Sequence, residues 1–253
     1  MPSGPVLIAA GAGIGVLLGL FGVGGSSVAT PVLSLLGVPG LIAVASPLPA
    51  TIPAAIVAAI PYVREGESRP RAAAWSLAGG VPATVVGALL AHAVGGAALL
   101  VASGVVLAVV GVRVGRPITQ TARDTGTVRR RNRPLLVAAC AGVGFFTGLL
   151  ANGGGFLLVP LYLLVFGLRM RQAVGTSLIV IAVLAVPTLI THWALGHIDW
   201  RVAAFFAAGL VPGSAIGGRL AHAVEGPVVR RAFGWFLVAF GALFTTYRLS
   251  LLR

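Results

Sequence analysis

The stretch GLFGVGGSSVATP, residues 19–31, sets Gly22, Gly24 and Gly25 just ahead of Ser26 and Ser27 and closes on Pro31. A second stretch, GLLANGGGFLLVP at 148–160, sets Asn152 ahead of Gly153, Gly154 and Gly155 and closes on Pro160 at the same spacing. The chemistry open to these residue types is the holding of a small anion. Each glycine in a helix interior costs about 1 kcal/mol relative to alanine, so a cluster of them ends a helix. Proline removes one more backbone donor. Where a helix restarts after such a break, its first N–H groups lack partners and carry partial positive charge, which favours an anion. Ser26, Ser27 and Asn152 add short donors beside those amides. The competing reading, glycine as a means of close helix packing, fits Gly11, Gly15 and Gly19 better than it fits the two clusters.

Other groups are weaker candidates. Ser46 and Thr51 lie in the second apolar segment of one half, and Thr176 and Ser177 lie opposite them in that of the other. Hydroxyls within a span often bond back to a carbonyl of the preceding turn, yet the matched placement of Ser46, Thr176 and Ser177 next to the glycine breaks in sequence order adds them to the anion site. His92 and His222 occupy equivalent places; they suit either a proton relay or an interfacial position with a wet tip. Arg219 interrupts an apolar run near its end and suits snorkelling. His192 and His197 flank a short loop with two tryptophans and read as interfacial. The acids, Glu65, Glu67, Asp124, Asp199 and Glu225, all fall in expected loops. No carboxylate pair, Ser–His–Asp set or metal-ligand cluster is visible, so neither an enzyme nor a metal or other cofactor is expected. A phosphate loop of the Gly-Lys-Ser/Thr type is excluded because the chain has no lysine. A dinucleotide fold lacks its alternating strands and helices. Cys140 sits in an apolar run and reads as a small packed residue.

These residues must be positioned by membrane helices. The 253-residue chain is 58% hydrophobic and 9% charged, with a mean hydropathy of +1.03, far from the roughly 25% charge of soluble domains. The net charge of +13 comes from arginines lying between apolar segments, where they set orientation; a nucleic-acid partner is not expected. The N-terminus lacks the basic start of a cleaved signal peptide. The chain also repeats itself. LAHAV recurs at 90–94 and 220–224, and Gly79, Pro82 and Gly87 meet Gly209, Pro212 and Gly217 at an offset of 130. At an offset of 129, Gly15, Gly19, Gly24, Gly25 and Pro31 meet Gly144, Gly148, Gly153, Gly154 and Pro160. Internal duplication is the common build of secondary transporters. The expectation is therefore an all-α polytopic membrane protein of two homologous repeats: residues 1–115, an arginine-rich cytoplasmic loop at 116–133, and residues 134–253. Each repeat holds four apolar segments, at about 5–36, 41–63, 72–94 and 97–114, then 134–167, 172–195, 202–223 and 228–249. The first of each is too long for one span of about 20 residues. It is broken or re-entrant at its glycines.

Two topologies follow. With eight crossings, both termini are cytoplasmic, and Arg169, Arg171, Arg219, Arg230 and Arg231 lie outside. With re-entrant first segments, each repeat has three full spans and the repeats are inverted. Only Arg201, Arg248 and Arg253 then lie outside, so the positive-inside rule mildly prefers inversion.

At GLFGVGGSSVATPVLSLLGV, GLLANGGGFLLVPLYLLVFGL, the AVGTSL that follows and the late GLVPGSAIGGRLAHAV, the chain resembles the TauE/SafE family of sulfite exporters and related permeases, over nearly its whole length. Ser26 and Ser27 stand where many relatives would continue the glycine run. The resemblance implies a multi-pass transporter of the bacterial inner membrane for small sulfur-containing anions such as sulfite and organosulfonates, mostly in the export direction. The positions that match the family's motif are Gly22, Gly24 and Gly25 with Pro31, and Gly153 to Gly155 with Pro160. The expected partners are the lipid bilayer and a small anionic substrate; the small-residue faces are also compatible with a homodimer.

Overall fold

The computed structural model describes residues 2–23, 25–94, 112, 133–150 and 155–251. Among these residues there is no strand. The helices are α1 (Gly4–Phe21), α2 (Gly25–Leu35), α3 (Gly40–Ala45), α4 (Leu48–Arg64), α5 (Pro70–Val94), α6 (Arg133–Leu150), α7 (Gly155–Leu164), α8 (Met170–Ala194), α9 (Trp200–Ala223) and α10 (Gly226–Leu251). Four stretches among the described residues are long and apolar enough to cross a membrane: Gly4–Phe21, Ile42–Arg64, Met170–Ala194 and Trp200–Ala223. The apolar segment at 97–114, apart from Val112, lies outside the described residues, as do Asp124 and the central loop up to residue 132.

The helix ends follow local chemistry. Pro5 stands in the first turn of α1, where a missing N–H costs nothing. Asp199 caps α9, its carboxylate accepting from the N–H groups of Arg201 at 2.9 Å and Val202 at 3.1 Å. The segment expected as one span over 41–63 is divided at Ser46 and Pro47 into α3 and α4, where Pro47 has no N–H to continue the helical ladder, although both residues keep helical backbone angles.

Small residues set the closest packing. Helix α1 lies along α9 and parallel to it. A Cβ added to Gly11 or Gly15 would strike backbone of α9, and one on Gly213 or Gly217 would strike backbone of Ala12 or Val16. Helix α6 lies along α5 in the same sense, with Gly144 against the backbone of Gly80. There Thr84 donates to Gly80 O at 2.7 Å and to Gly144 O at 3.0 Å. The packing role expected of Gly11, Gly15 and Gly19 is thus what they perform.

Helix α4 packs on α8 and α9. Its C-terminal Tyr62 meets Gly175 near the start of α8, whereas Ala45, just before it, clusters with Leu189 near the end of α8 and with Ile198 and Ala203. The two helices therefore run antiparallel. On one face of the bundle, here face I, the α4–α5, α7–α8 and α9–α10 connections meet. There Arg69 N donates to Thr176 Oγ1 at 3.1 Å, and Arg171 Nη2 donates to His222 O at 3.1 Å and Val224 O at 3.2 Å. His222 Nε2 lies 3.3 Å from Glu65 Oε2. Face II holds the starts of α1, α4 and α9: Gly4 touches the Phe205 ring, and Asp199 N donates to Ser46 Oγ at 3.1 Å.

Candidate functional site

The glycine cluster at 22–25 interrupts the first apolar segment as expected, between Phe21 and Gly25. Gly22 takes a left-handed conformation (φ 63°) and its N–H returns to Leu18 O, closing α1. Only glycine adopts that geometry without strain. A helix end in an apolar interior leaves carbonyls without partners, and two side chains from other helices meet them. Tyr62 donates its hydroxyl to Gly19 O at 2.8 Å. Ser177 donates to Gly22 O at 3.3 Å and to Val174 O at 2.8 Å. Val159 of α7 and Val174 of α8 complete the contacts around Gly22.

The chain restarts at Gly25, and α2 begins beside Thr51 of α4 and Leu210 of α9; a Cβ at Gly25 would sit 3.2 Å from Thr51 Oγ1. Thr51 donates to Pro47 O at 2.9 Å, a bond within its own helix. The interruption thus combines the closed C-terminus of α1 with the N-terminus of α2, whose first amides have no helical acceptor. Pro31 lies inside α2.

The expected site residues divide into three groups. Gly22, Gly25 and Ser177 come together here, with Ser26 and Ser27 in the first turn of α2. Ser46 and Thr176, both fully buried, are committed elsewhere. Ser46 accepts from Asp199 N at face II; Thr176 accepts from Arg69 N at face I and donates to Gln172 O at 2.6 Å. Gly24, Asn152, Gly153 and Gly154 lie outside the described residues, and Gly155 is the first residue of α7. Tyr62 was missed by sequence reasoning. Its signal was available: one of only three tyrosines in the chain, placed in an apolar run where a hydroxyl needs a partner. A second buried tyrosine, Tyr162, donates to Ser76 Oγ at 2.8 Å, and Ser76 in turn lies 3.6 Å from Cys140 Sγ.

Comparison with known proteins decides the family. The sequence profile of the family described as Sulfite exporter TauE/SafE matches residues 7–244. The chain belongs to the TauE/SafE sulfite-exporter family. It is similar, at 30% identity over 245 residues and 92% of each chain, to a Xylella fastidiosa protein described as a probable membrane transporter protein. It is 26% identical over 229 residues, 85% of this chain and 89% of the other, to the probable membrane transporter protein YjnA of Bacillus subtilis. YunE of the same organism matches over 83 residues at 37% identity, 33% of this chain and 29% of the other. No solved structure matches the chain.

This TauE/SafE protein is therefore a multi-pass membrane transporter and not an enzyme. Among the described residues, the charged side chains of the TauE/SafE chain keep to the helix ends and connections. Glu65, Glu67, Asp199 and Glu225 lie in connections, and Arg219 is exposed in the last turns of α9. His192 and His197 face each other with Nδ1 atoms 3.3 Å apart, and the nearby Trp193 and Trp200 are exposed.

Proposed function

We propose that this TauE/SafE chain is a secondary transporter that moves a small anion, a sulfur oxyanion such as sulfite or an organosulfonate, out across the bacterial inner membrane. The observation that carries the reading is the break at Gly22–Gly25. Its support is that α2 starts at Gly25, beside the Thr51 hydroxyl and the Leu210 side chain rather than a carboxylate. Such a lining suits an anion and offers a cation no charged ligand. Sulfur chemistry rests on the family's description alone. With no nucleotide motif, the driving force is a gradient.

Inverted repeats with re-entrant first segments supply the frame for this reading. The bounds of α1 and α6, of α2 and α7, of α3–α4 and α8, and of α5 and α9 recur at offsets of 129 or 130. The bond from Asp199 N to Ser46 and that from Arg69 N to Thr176 are one bond at this offset, exchanged between repeats and made at opposite faces. Helix α1 starts at face II and ends beside Val174 and Ser177, short of the start of α8; α2 then leads back towards Ser46 at face II. A hairpin that enters and leaves by one face accounts for both. Face I gathers Arg64, Arg69, Arg71, Arg169, Arg171, Arg230 and Arg231 and is assigned to the cytoplasm by the positive-inside rule.

The test is sulfite efflux from proteoliposomes with the double variant Gly24→Ala, Gly154→Ala. The expected result is loss of transport in correctly inserted protein; wild-type rates would remove the reading. Thermal melts of purified protein across sulfite, thiosulfate, sulfate, taurine, sulfoacetate and a cation panel identify the ligand. Ligand at a hundred times its Kd stabilises by about 2.7 kcal/mol. Stabilisation by cations alone would replace the anion reading.

A further inference from the structure

A cavity of about 380 Å³ opens at face I, lined by Glu67, Arg169, Arg171, Arg230 and the start of α10 at Gly226 and Pro227. It shares no residue with the Gly22–Gly25 break. We propose that this cavity is a second anion site, one that takes a tetrahedral phosphate- or sulfate-class oxyanion, either as a free ion or as the phosphate of an anionic lipid headgroup.

Three features carry the assignment. First, three arginines line one cavity, and Glu67 is the carboxylate in its lining. Arginines that only set orientation need no common cavity; they need only lie in cytoplasmic connections. These come from separate elements, Arg169 and Arg171 from the start of α8 and Arg230 from the first turns of α10. The planar fork of arginine matches oxyanion geometry. Second, the site is preorganised. Arg171 is anchored through Nη2 to the carbonyls of His222 and Val224, where it caps the C-terminus of α9. Holding the side chain before the ligand arrives lowers the ordering cost of binding. Third, the N-termini of the 25-residue α8 and the 26-residue α10 both lie at the cavity, adding partial positive charge. Glu67 is the opposing group: its Oε2 is closed off from solvent and, among the described residues, accepts no hydrogen bond. Its charge holds the anion affinity down, which suits a site that must release what it binds.

The test uses the full-length chain, with two measurements. Delipidated protein in neutral detergent at low ionic strength is titrated calorimetrically with inorganic phosphate and with sulfate. Protein released from nanodiscs of phosphatidylglycerol or of phosphatidylcholine is weighed by native mass spectrometry for retained lipid. Each is repeated with Arg230→Gln and Glu67→Gln. The expected result is oxyanion binding that Arg230→Gln weakens about tenfold or more, the worth of a charged hydrogen bond, and that Glu67→Gln tightens by ~3-fold or more through removal of one negative charge. Calorimetric binding with this pattern establishes a free-ion site. Retention of phosphatidylglycerol over phosphatidylcholine with the same pattern establishes a headgroup site. Absence of both, or binding that neither substitution alters, overturns the proposal; should Arg230→Gln fail to fold, the near-isosteric Glu67→Gln decides alone. The readout is binding, so a negative result leaves the transport reading at Gly22–Gly25 standing, and loss of transport in the Gly24 variant leaves this one standing.

Discussion

At Gly22 the left-handed turn, the Tyr62 hydroxyl on Gly19 O and the Ser177 hydroxyl on Gly22 O form one device: a helix end made tolerable inside an apolar bundle. Glycines elsewhere are used differently, and the difference is measurable. Gly213 lies against the backbone of Ala12, which cannot yield as a side chain would, whereas Gly13 on the other side of α1 has no neighbour near its absent Cβ. Gly213→Leu is expected to destabilise by about 3 kcal/mol or more, since overpacking between backbones forces whole helices apart. Gly13→Ala is expected to leave the melting temperature unchanged or slightly raised. Detergent-stability melts followed by size-exclusion chromatography compare the two; equal behaviour would contradict the α1–α9 contact.

Among the elements, α4 and α8 form the antiparallel centre, and each is tied at one end by a hydroxyl accepting a loop N–H from the other half of the chain. Thr176→Val and Ser46→Ala are each expected to cost about 1 kcal/mol, the net worth of one hydrogen bond, and to add in the double variant because they act at opposite faces. Thr176→Ser is expected to keep the bond. Transport by correctly folded Thr176→Val measures whether that hydroxyl also meets substrate: a loss far beyond the stability change places it in the site, and near-normal rates confine it to the staple. Much at this scale was legible from sequence. Paired glycines and proline at 22–31 marked the interruption of the first segment, and apolar run lengths gave α5, α8 and α9 to within a few residues. The division at Ser46–Pro47 was not legible, because Pro53 and Pro61 within α4 show that proline in this region need not end a helix. The partners of Ser46, Thr176 and Tyr62 were not legible either. Each is more than 40 residues away in sequence, and such pairings exist only after the helices pack. The arginines at 169, 171 and 230 read as orientation charges, since spacing along the chain gives no sign that they line one cavity.

For the whole molecule the decisive relation is which connections share a face. Arg69 N reaches Thr176, and Glu65 reaches His222, so the α4–α5, α7–α8 and α9–α10 connections lie together. A chain that crossed eight times would put the α4–α5 connection inside and the α7–α8 and α9–α10 connections outside, separated by a hydrocarbon core of about 30 Å. A hydrogen bond of 3.1 Å from Arg69 N to Thr176 and a 3.3 Å approach of Glu65 to His222 support the inverted arrangement proposed above over the eight-crossing one. Three single cysteines convert the geometry into an experiment. The native thiol does not interfere, because Cys140 is buried. Leu195→Cys, in the exposed α8–α9 connection, is expected to react with an impermeant maleimide in intact cells. Ser68→Cys and Val165→Cys are expected to react only after permeabilisation. Val165→Cys labelled from outside with Leu195→Cys protected would reverse the second half of the chain, and with it the antiparallel pairing of α4 and α8. The two half-helix starts could not then converge by inversion, and the anion site would have to be built by α2 alone.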